Sequence, residues 1–315
     1  MLESITIAVQ VGLLYIPLVF GIYITMGVLS LPDFTMQGSF GIGGATGAVM
    51  AINGVNPLTA ILVAMIAGAL TGLVTAAMHL WLRLNVLLAS ILVSAAAYSV
   101  ALVIMGSGNL SLMGKKSIFS WFQGLGLTPQ ASTIVAGSAI TIVLGLLILV
   151  FLRTQYGVSL IASGQSIQTA RGLGIRTESR QVVGLAIGNG LAGVSGALIV
   201  QNQGFMDVTI QNGIIVIGLA GMMVGLSLIR ANRTTLVIIG LILGVFIYRL
   251  VVVYAIQLGI NPNLVQLITA ALVVLVVWLR NNGNVLTGLT SKRGRNDLQM
   301  SRVKFYEEDR VASFF

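Results

Sequence analysis

Side chains able to do acid–base, nucleophilic or metal chemistry are few in this sequence, and they are scattered. Cysteine is absent and His79 is the single histidine, which removes disulfides, thiolate metal sites and a cysteine nucleophile. The acids before residue 290 are Glu3, Asp33, Glu178 and Asp207. All four fall at the ends of apolar runs or between them, so no proton relay inside such a run is visible. Neither H-E-x-x-H nor G-x-S-x-G occurs, which leaves a protease or lipase without its motif. The stretch GNLSLMGKKS from Gly108 approaches a phosphate loop, yet it places five residues between its glycines and Lys116 where Ser or Thr is needed. The chain is therefore expected to bind no metal, cofactor or ATP of its own. His79, close to Trp81 and Arg83, reads as an interfacial residue. What remains is a small set of polar groups inside apolar runs: Gln37, Asn189, Gln211 and Arg249. Gln37, Asn189 and Gln211 could line a translocation path or bond between helices. Arg249 lies about eight residues, or ~12 Å, from the nearer end of its run. It is either a structural arginine, snorkelling or carbonyl-bonded, or a group facing the path that attracts an anionic moiety such as a carboxylate.

The elements that must position these groups are membrane helices. The chain has 315 residues, 57% hydrophobic and only 8% charged, with mean hydropathy +1.00; a soluble domain carries about 25% charged residues. Continuous apolar runs, rather than period-two alternation, exclude a barrel and match helices long enough to cross a ~30 Å hydrocarbon core. The spans read as 5–30, 36–53, 57–78, 86–106, 131–152, 181–201, 209–228, 234–257 and 263–280, about nine in all, within a range of 8–10. The first follows an acidic start without a cleavage site and reads as retained. The loops sort by charge. Arg83, the group Arg153, Arg171, Arg176 and Arg180, then Arg230 and Arg233, and Arg280 with the basic tail fall on one side. Lys115 and Lys116 fall on the other. The positive-inside rule makes the first side cytoplasmic, with the N-terminus outside and the C-terminus inside. Residues 1–283 form the membrane domain and 284–315 a cytoplasmic tail whose basic start can meet lipid headgroups. The net charge of +9 is accordingly a topological signal and not a nucleic-acid footprint.

An internal repeat underlies this series. DFTMQGSFGIGGATG from Asp33 and DVTIQNGIIVIGLAG from Asp207 share Asp-x-Thr-x-Gln and a later Gly-x-x-Gly at constant offset. In the topology above the copies are inverted, a transporter signature with the substrate path at their interface. Gly68/Gly72, Gly184/Gly188, Gly221/Gly225 and Gly240/Gly244 have the spacing that lets helices approach closely. The cluster Gly38–Gly47 suggests a broken helix lining a cavity. The expected fold is an all-α polytopic bundle with an inverted repeat and broken helices.

One polar segment interrupts the runs: SGQSIQTARGLGIRTESR, from Ser163 to Arg180. Ile167, Ala170 and Leu173 share one face of a short helix, Gln165, Gln168 and Arg171 point elsewhere, and Gly172 and Gly174 favour termination. Such a helix either lies on the membrane surface or inserts into a groove on a partner. The segment TQYGVSLIASGQSIQTARGLGI, Thr154 to Ile175, resembles the cytoplasmic loop of the ABC-importer permeases of the branched-chain amino acid and ribose family. Gly157, Ala162, Gly164, Gln165, Ala170, Gly174 and Ile175 carry the resemblance, while Ile161 replaces the family's usual basic residue and Ser166 a frequent asparagine. LPDFTMQGSFGIGGATGAV resembles the same family's I-D-L-S-x-G-A segment, and the likeness extends over about residues 5–280.

The resemblance implies a permease subunit in a bacterial cytoplasmic membrane, working as a dimer with a second permease copy, two cytoplasmic ATP-binding cassette ATPase subunits and an extracytoplasmic substrate-binding protein or lipoprotein. ATP would act on the partner subunit. The loop would be the coupling helix, with Gly164, Gln165, Ile167, Gln168, Ala170, Arg171, Gly174 and Ile175 at the ATPase. The branch most similar is one for amino acids, including a tryptophan and tyrosine group. The alternative from the residues alone is an ion-coupled secondary transporter or channel acting without an ATPase.

Overall fold

The computed structural model describes residues 2–229, 233–261 and 264–287. Arg230 and the tail beyond residue 287 lie outside the described residues. Twelve α-helices follow in order: α1 Leu2–Ile22, α2 Thr35–Ile52, α3 Pro57–Leu80, α4 Val86–Met105, α5 Ile118–Gln123, α6 Pro129–Arg153, α7 Gln155–Gln165, α8 Ile167–Gly172, α9 Thr177–Gln203, α10 Ile214–Leu228, α11 Thr234–Gln257 and α12 Val265–Thr287. A π-helical extension, Tyr23–Val28, completes the first span. Each expected span has its helix. Among the described residues seven helical spans are long and apolar enough to cross a membrane by length and composition; α2, of 18 residues, is less apolar, and the apolar part of α12 is shorter.

Local chemistry sets the boundaries. Asn56, Asn85 and Thr128 accept hydrogen bonds from the amides of Leu58, Leu87 and Ala131, and Pro57 and Pro129 occupy the first turn, where no amide is needed. Gly106 and Gly204 end α4 and α9 in the left-handed conformation. Contacts then sort the helix ends into two sets. At one end Arg153 donates to Thr235 Oγ1 (2.8 Å) and Tyr156 Oη donates to the Ser179 carbonyl (3.1 Å). At the other, Lys115 donates to the Ile52 carbonyl (3.0 Å) and Gln201 to that of Pro57 (3.4 Å). Arg153 and Lys115 thus lie at opposite ends of the bundle, as the loop charges place them.

The core is α2, enclosed by α3, α4 and α9. Here the structure corrects one expectation: the glycine cluster does not break α2, which is continuous from Thr35 to Ile52. Its glycines bring backbones together instead, and a Cβ on Gly43 would collide with the backbone of Gly193 on α9. Three of the four glycine pairs behave as expected, whereas Gly184 meets the Leu29 side chain and only Gly188 a backbone, that of Gly21. Gly221 and Gly225 of α10 meet Gly240 and Gly244 of α11 backbone to backbone, while Gly68 and Gly72 meet the α9 carbonyls of Asn189 and Leu185.

The irregular backbone lies elsewhere, between α9 and α10. Phe205–Asp207 pairs antiparallel with Asn109–Ser111 as a two-stranded sheet, a 3-10 turn covers Val208–Gln211, and left-handed Gly213 opens α10 five residues later than the expected span.

Candidate functional site

Two places can do work, an open cleft of mixed polarity at the flank of α2 and α4 and the interhelical loop at one end of the bundle. The cleft, of about 300 Å³, is lined by Phe34 and Gln37 near the start of α2, Ser94 and Tyr98 on α4, and Gln211 with Asn212 between the 3-10 turn and α10. The two glutamines that correspond in the sequence repeat therefore open onto one space. Gly41 makes this possible, because the Gln211 side chain sits where a Cβ on Gly41 would be. Gln211 is 2% exposed, and its Oε1 is buried without a hydrogen-bond partner. A larger hollow of about 540 Å³ between α3, α6 and α9 is lined by apolar side chains and Gly190, and offers nothing to a polar solute.

Asn189 lies apart from this cavity. Its Nδ2 donates to Asp33 Oδ2 (2.7 Å) and to the Leu185 carbonyl (2.9 Å), and its Oδ1 accepts from Ser39 Oγ (2.6 Å). Ser39 also bonds Thr71, and Thr35 Oγ1 pairs with Thr75 Oγ1 at 2.6 Å. The network ties α2, α3 and α9 together and leaves the Asn189 carboxamide fully engaged. Asp33, expected in a loop, is fully buried within it. The residue that this reading missed carried a local signal, since Asp33 Oδ1 accepts from the Thr35 amide (2.9 Å), the turn written by Asp-x-Thr. Its partner 156 positions away carried none.

Arg249 is also outside the cavity lining. Its guanidinium lies 4.0 Å from the centroid of Tyr15, which stacks on Phe40 of α2 at 6.4 Å, and its Nε is buried without a hydrogen-bond partner. A cation over an aromatic face is a third option that the snorkelling and path readings did not include. His79 bonds the Leu84 carbonyl (2.8 Å) and secures the turn between α3 and α4.

The loop is built as two helices. Thr154 caps α7 through the Gly157 amide (3.1 Å), and Ser166, in extended conformation, breaks the chain and caps α8 through the Thr169 amide (3.2 Å). After Gly172, Gly174 adopts φ +79°, the Gly174 amide reaches the Arg171 carbonyl (2.9 Å), and the Ile175 amide reaches that of Ala170 (3.0 Å). These bonds form a Schellman motif, so Gly174-Ile175 is a helix stop with a physical cause. Arg171 bonds Thr177 Oγ1 (3.1 Å) and pairs with Glu178, fastening α8 to α9.

Of the three apolar residues on the α8 face only Ala170 is buried; Ile167 is 42% and Leu173 73% exposed. Behind α8, α7 is seated on the bundle. Leu160 is fully buried, and Gly164 lies so close to the Val28 carbonyl that a Cβ has no room. Ile161, where the family has a basic residue, packs partly buried against the apolar core. At the same end Arg180 lies 3.6 Å over the Tyr156 ring.

A bundle of apolar helices long enough to cross a membrane, with a cleft lined by Gln37 and Gln211 and a capped two-helix loop at one end, has the build of a multi-pass membrane protein. Comparison with known proteins places it further. The family described as branched-chain amino acid transport system / permease component matches residues 4–277, and the chain belongs to that family. It is 34% identical over 254 residues to a tyrosine transport system permease protein of Clostridioides difficile (strain R20291), covering 81% of this chain and 83% of that one. An uncharacterized protein of Rickettsia prowazekii (strain Madrid E) is 29% identical over 265 residues, 83% of this chain and 92% of its own. The fold is also that of an ABC transporter described as metal-chelate type, solved in an inward-facing conformation, with TM-score 0.51 and 17% identity over 88% of this chain and 85% of that one. Of the two sequence readings, the ABC permease stands and the ion-coupled transporter or channel gives way.

Proposed function

We propose that this chain imports an amino acid or related small polar solute, driven by a cytoplasmic ATP-binding cassette ATPase that docks on α8. The observation that carries this is the pair Ile167 and Leu173, large apolar side chains exposed on a short helix whose backbone is locked at both ends. A helix that only capped a loop would bury them; one built to enter a partner's groove presents them. The side bearing α8 is then cytoplasmic and the N-terminus outside, as the loop charges suggest. The assembly is a dimer of permeases with two ATPases, receiving cargo from an extracytoplasmic binding protein. The amino-acid assignment rests on the named activity of the Clostridioides relative.

Movement at α8 has a stiff route inward. α7 abuts Val28 at the end of the first span and packs on α9. The α9 helix holds α2 through Asn189, Asp33 and Ser39, and α2 carries Gln37 at the cavity. Such a chain transmits displacement only if its links stay rigid, and the buried network supplies that rigidity.

The test is Ile167→Asp with Leu173→Asp in permease reconstituted with its ATPase. Burying two such side chains contributes roughly 3–6 kcal/mol, so ATPase co-purification and ATP-dependent uptake should fall at least about a hundredfold while the permease stays monodisperse. Ala170→Asp is the weaker probe, because Ala170 faces its own chain. Uptake and co-purification at normal levels in the double variant would refute docking at α8.

A further inference from the structure

We propose that the apolar hollow between α3, α6 and α9 seats an acyl chain of an anionic membrane phospholipid whose phosphate is held by Arg180. The hollow, of about 540 Å³, has Ala186, Ile187 and Leu191 of α9 on one wall. Ile66, Leu70 and Leu147 at its rim are each more than half exposed, so it opens outward from the bundle. Arg180 belongs to the same stripe of α9. It precedes Ile187 by seven residues and Leu191 by eleven, about two and three helical turns, which sets it ~10 Å from Ile187 along the axis. That interval leaves room for the glycerol and ester groups that separate a phosphate from its chains. A second route leads to the same cation. Phe151, on the α6 wall of the hollow, meets the Tyr156 ring at a centroid distance of 6.1 Å, and the Arg180 guanidinium lies 3.6 Å over that ring.

The chemistry of the mouth selects the headgroup. Arg180 Nε is buried without a hydrogen-bond partner, and among the described residues the guanidinium has no ion pair. Tyr156 covers its face and leaves the in-plane N–H donors free, the set that a phosphate accepts through two oxygens. Glu178, two residues away, is held by Arg171. Arg153 and Arg176 stand exposed at the same end, so the ammonium of a zwitterionic headgroup would meet like charge there, whereas a net anionic headgroup would not. The loop charges place this end in the cytoplasmic leaflet, where anionic lipids carry the surface potential. The competing occupant is a second permease copy. On a twofold axis the same surface faces itself, and two hollows in register enclose a void instead of filling one. A lipid fills the hollow and ties α6 to α9 at the foot of α7.

The full-length permease, delipidated in detergent, is titrated with dioleoylphosphatidylglycerol or dioleoylphosphatidylcholine, and native mass spectrometry counts the lipid bound per chain. Wild type should bind phosphatidylglycerol about tenfold more tightly than phosphatidylcholine. Arg180→Gln should weaken phosphatidylglycerol about tenfold, the loss of one charge-assisted hydrogen bond, and Arg180→Lys, which keeps the charge, should lose less. Arg233→Gln, which removes an exposed cation of the same end on α11, should leave the affinity unchanged. Ala186→Phe fills the hollow with Arg180 intact and should weaken both lipids about tenfold, the displacement of roughly two buried methylenes. Thermal unfolding without added lipid checks the fold of each variant; should Arg180→Gln not fold, the phosphatidylglycerol preference and Ala186→Phe decide the matter. Equal affinity for the two lipids, equal losses in Arg180→Gln and Arg233→Gln, or unchanged binding in Ala186→Phe overturns the site. An Ala186→Phe variant that splits a permease dimer and leaves lipid binding intact assigns the hollow to a second copy, and overturns it as well.

Discussion

Asp33 and Asp207 begin the same pattern and build the same first bond, and the molecule then uses them in opposite ways. In each copy the carboxylate accepts from the amide two residues on, Thr35 at 2.9 Å and Thr209 at 2.7 Å. Thr209 spends its hydroxyl on the same carboxylate (2.6 Å), and Asn109 completes the turn at the exposed sheet. The Thr35 hydroxyl is shared with that of Thr75, and Asp33 also accepts from Asn189 inside the bundle. A three-residue turn is thus encoded locally, while its place in the core is decided by what packs over it.

Two glycines, one in each copy though not at corresponding positions, sharpen the contrast between backbone and side-chain neighbours. Gly43 faces the backbone of Gly193, which cannot yield, whereas Gly218 faces the tip of the Ile22 side chain. Gly43→Leu should cost well over 3 kcal/mol, the upper range of overpacking, and leave no monodisperse protein in detergent. Gly218→Ala should cost about 1 kcal/mol and shift Tm by a few degrees. Equal losses would break the claim that Gly43 meets unyielding backbone and Gly218 a movable side chain.

Much of this was legible beforehand. Apolar runs located every helix that crosses the bundle, loop charge sorted its ends, and the three-residue recurrence of Ile167, Ala170 and Leu173 announced α8. Pairing Gln37 with Gln211 by repeat offset placed both at one cavity. Three features escaped. The sheet joining Asn109–Ser111 to Phe205–Asp207 consists of two three-residue strands far apart in sequence, too short for periodicity to register. Glycines crowded into α2 read as a break because sequence cannot tell a helix weakened by glycine from one packed through it. The bond that decides Asn189 between path lining and helix–helix bonding goes to Asp33, 156 positions away, which becomes its neighbour only after folding.

Removal of the two carboxylates gives the next largest contrast. Asp33→Ala leaves the Asn189 Nδ2 and the Thr35 amide short of a buried acceptor, costing roughly 2–5 kcal/mol. Asp207→Ala removes a turn cap at a partly exposed site and should cost about 1 kcal/mol. Thermal unfolding of the two variants in one detergent measures the difference. An Asp207→Ala loss as large as that of Asp33→Ala would mean that the exposed sheet, and not the buried network, secures the repeat interface.

The smallest effect concerns proton linkage at the exposed copy. The Thr209 hydroxyl, then its amide, hold the Asp207 carboxyl below the ordinary carboxylate value of 3.8. A carboxyl whose folded value is depressed adds stability that is fully present above its unfolded value, about pH 4, and that disappears as pH falls through the lower folded value. The Tm difference between wild type and Asp207→Asn should therefore be constant from pH 7 to about pH 5 and shrink toward zero below about pH 4. Asparagine keeps an oxygen for the Thr209 amide but no charge, so the variant isolates the ionised form. A Tm difference that persists unchanged at pH 3 would assign the turn's stability to its shape alone, and would leave the two copies chemically equivalent where their surroundings are not.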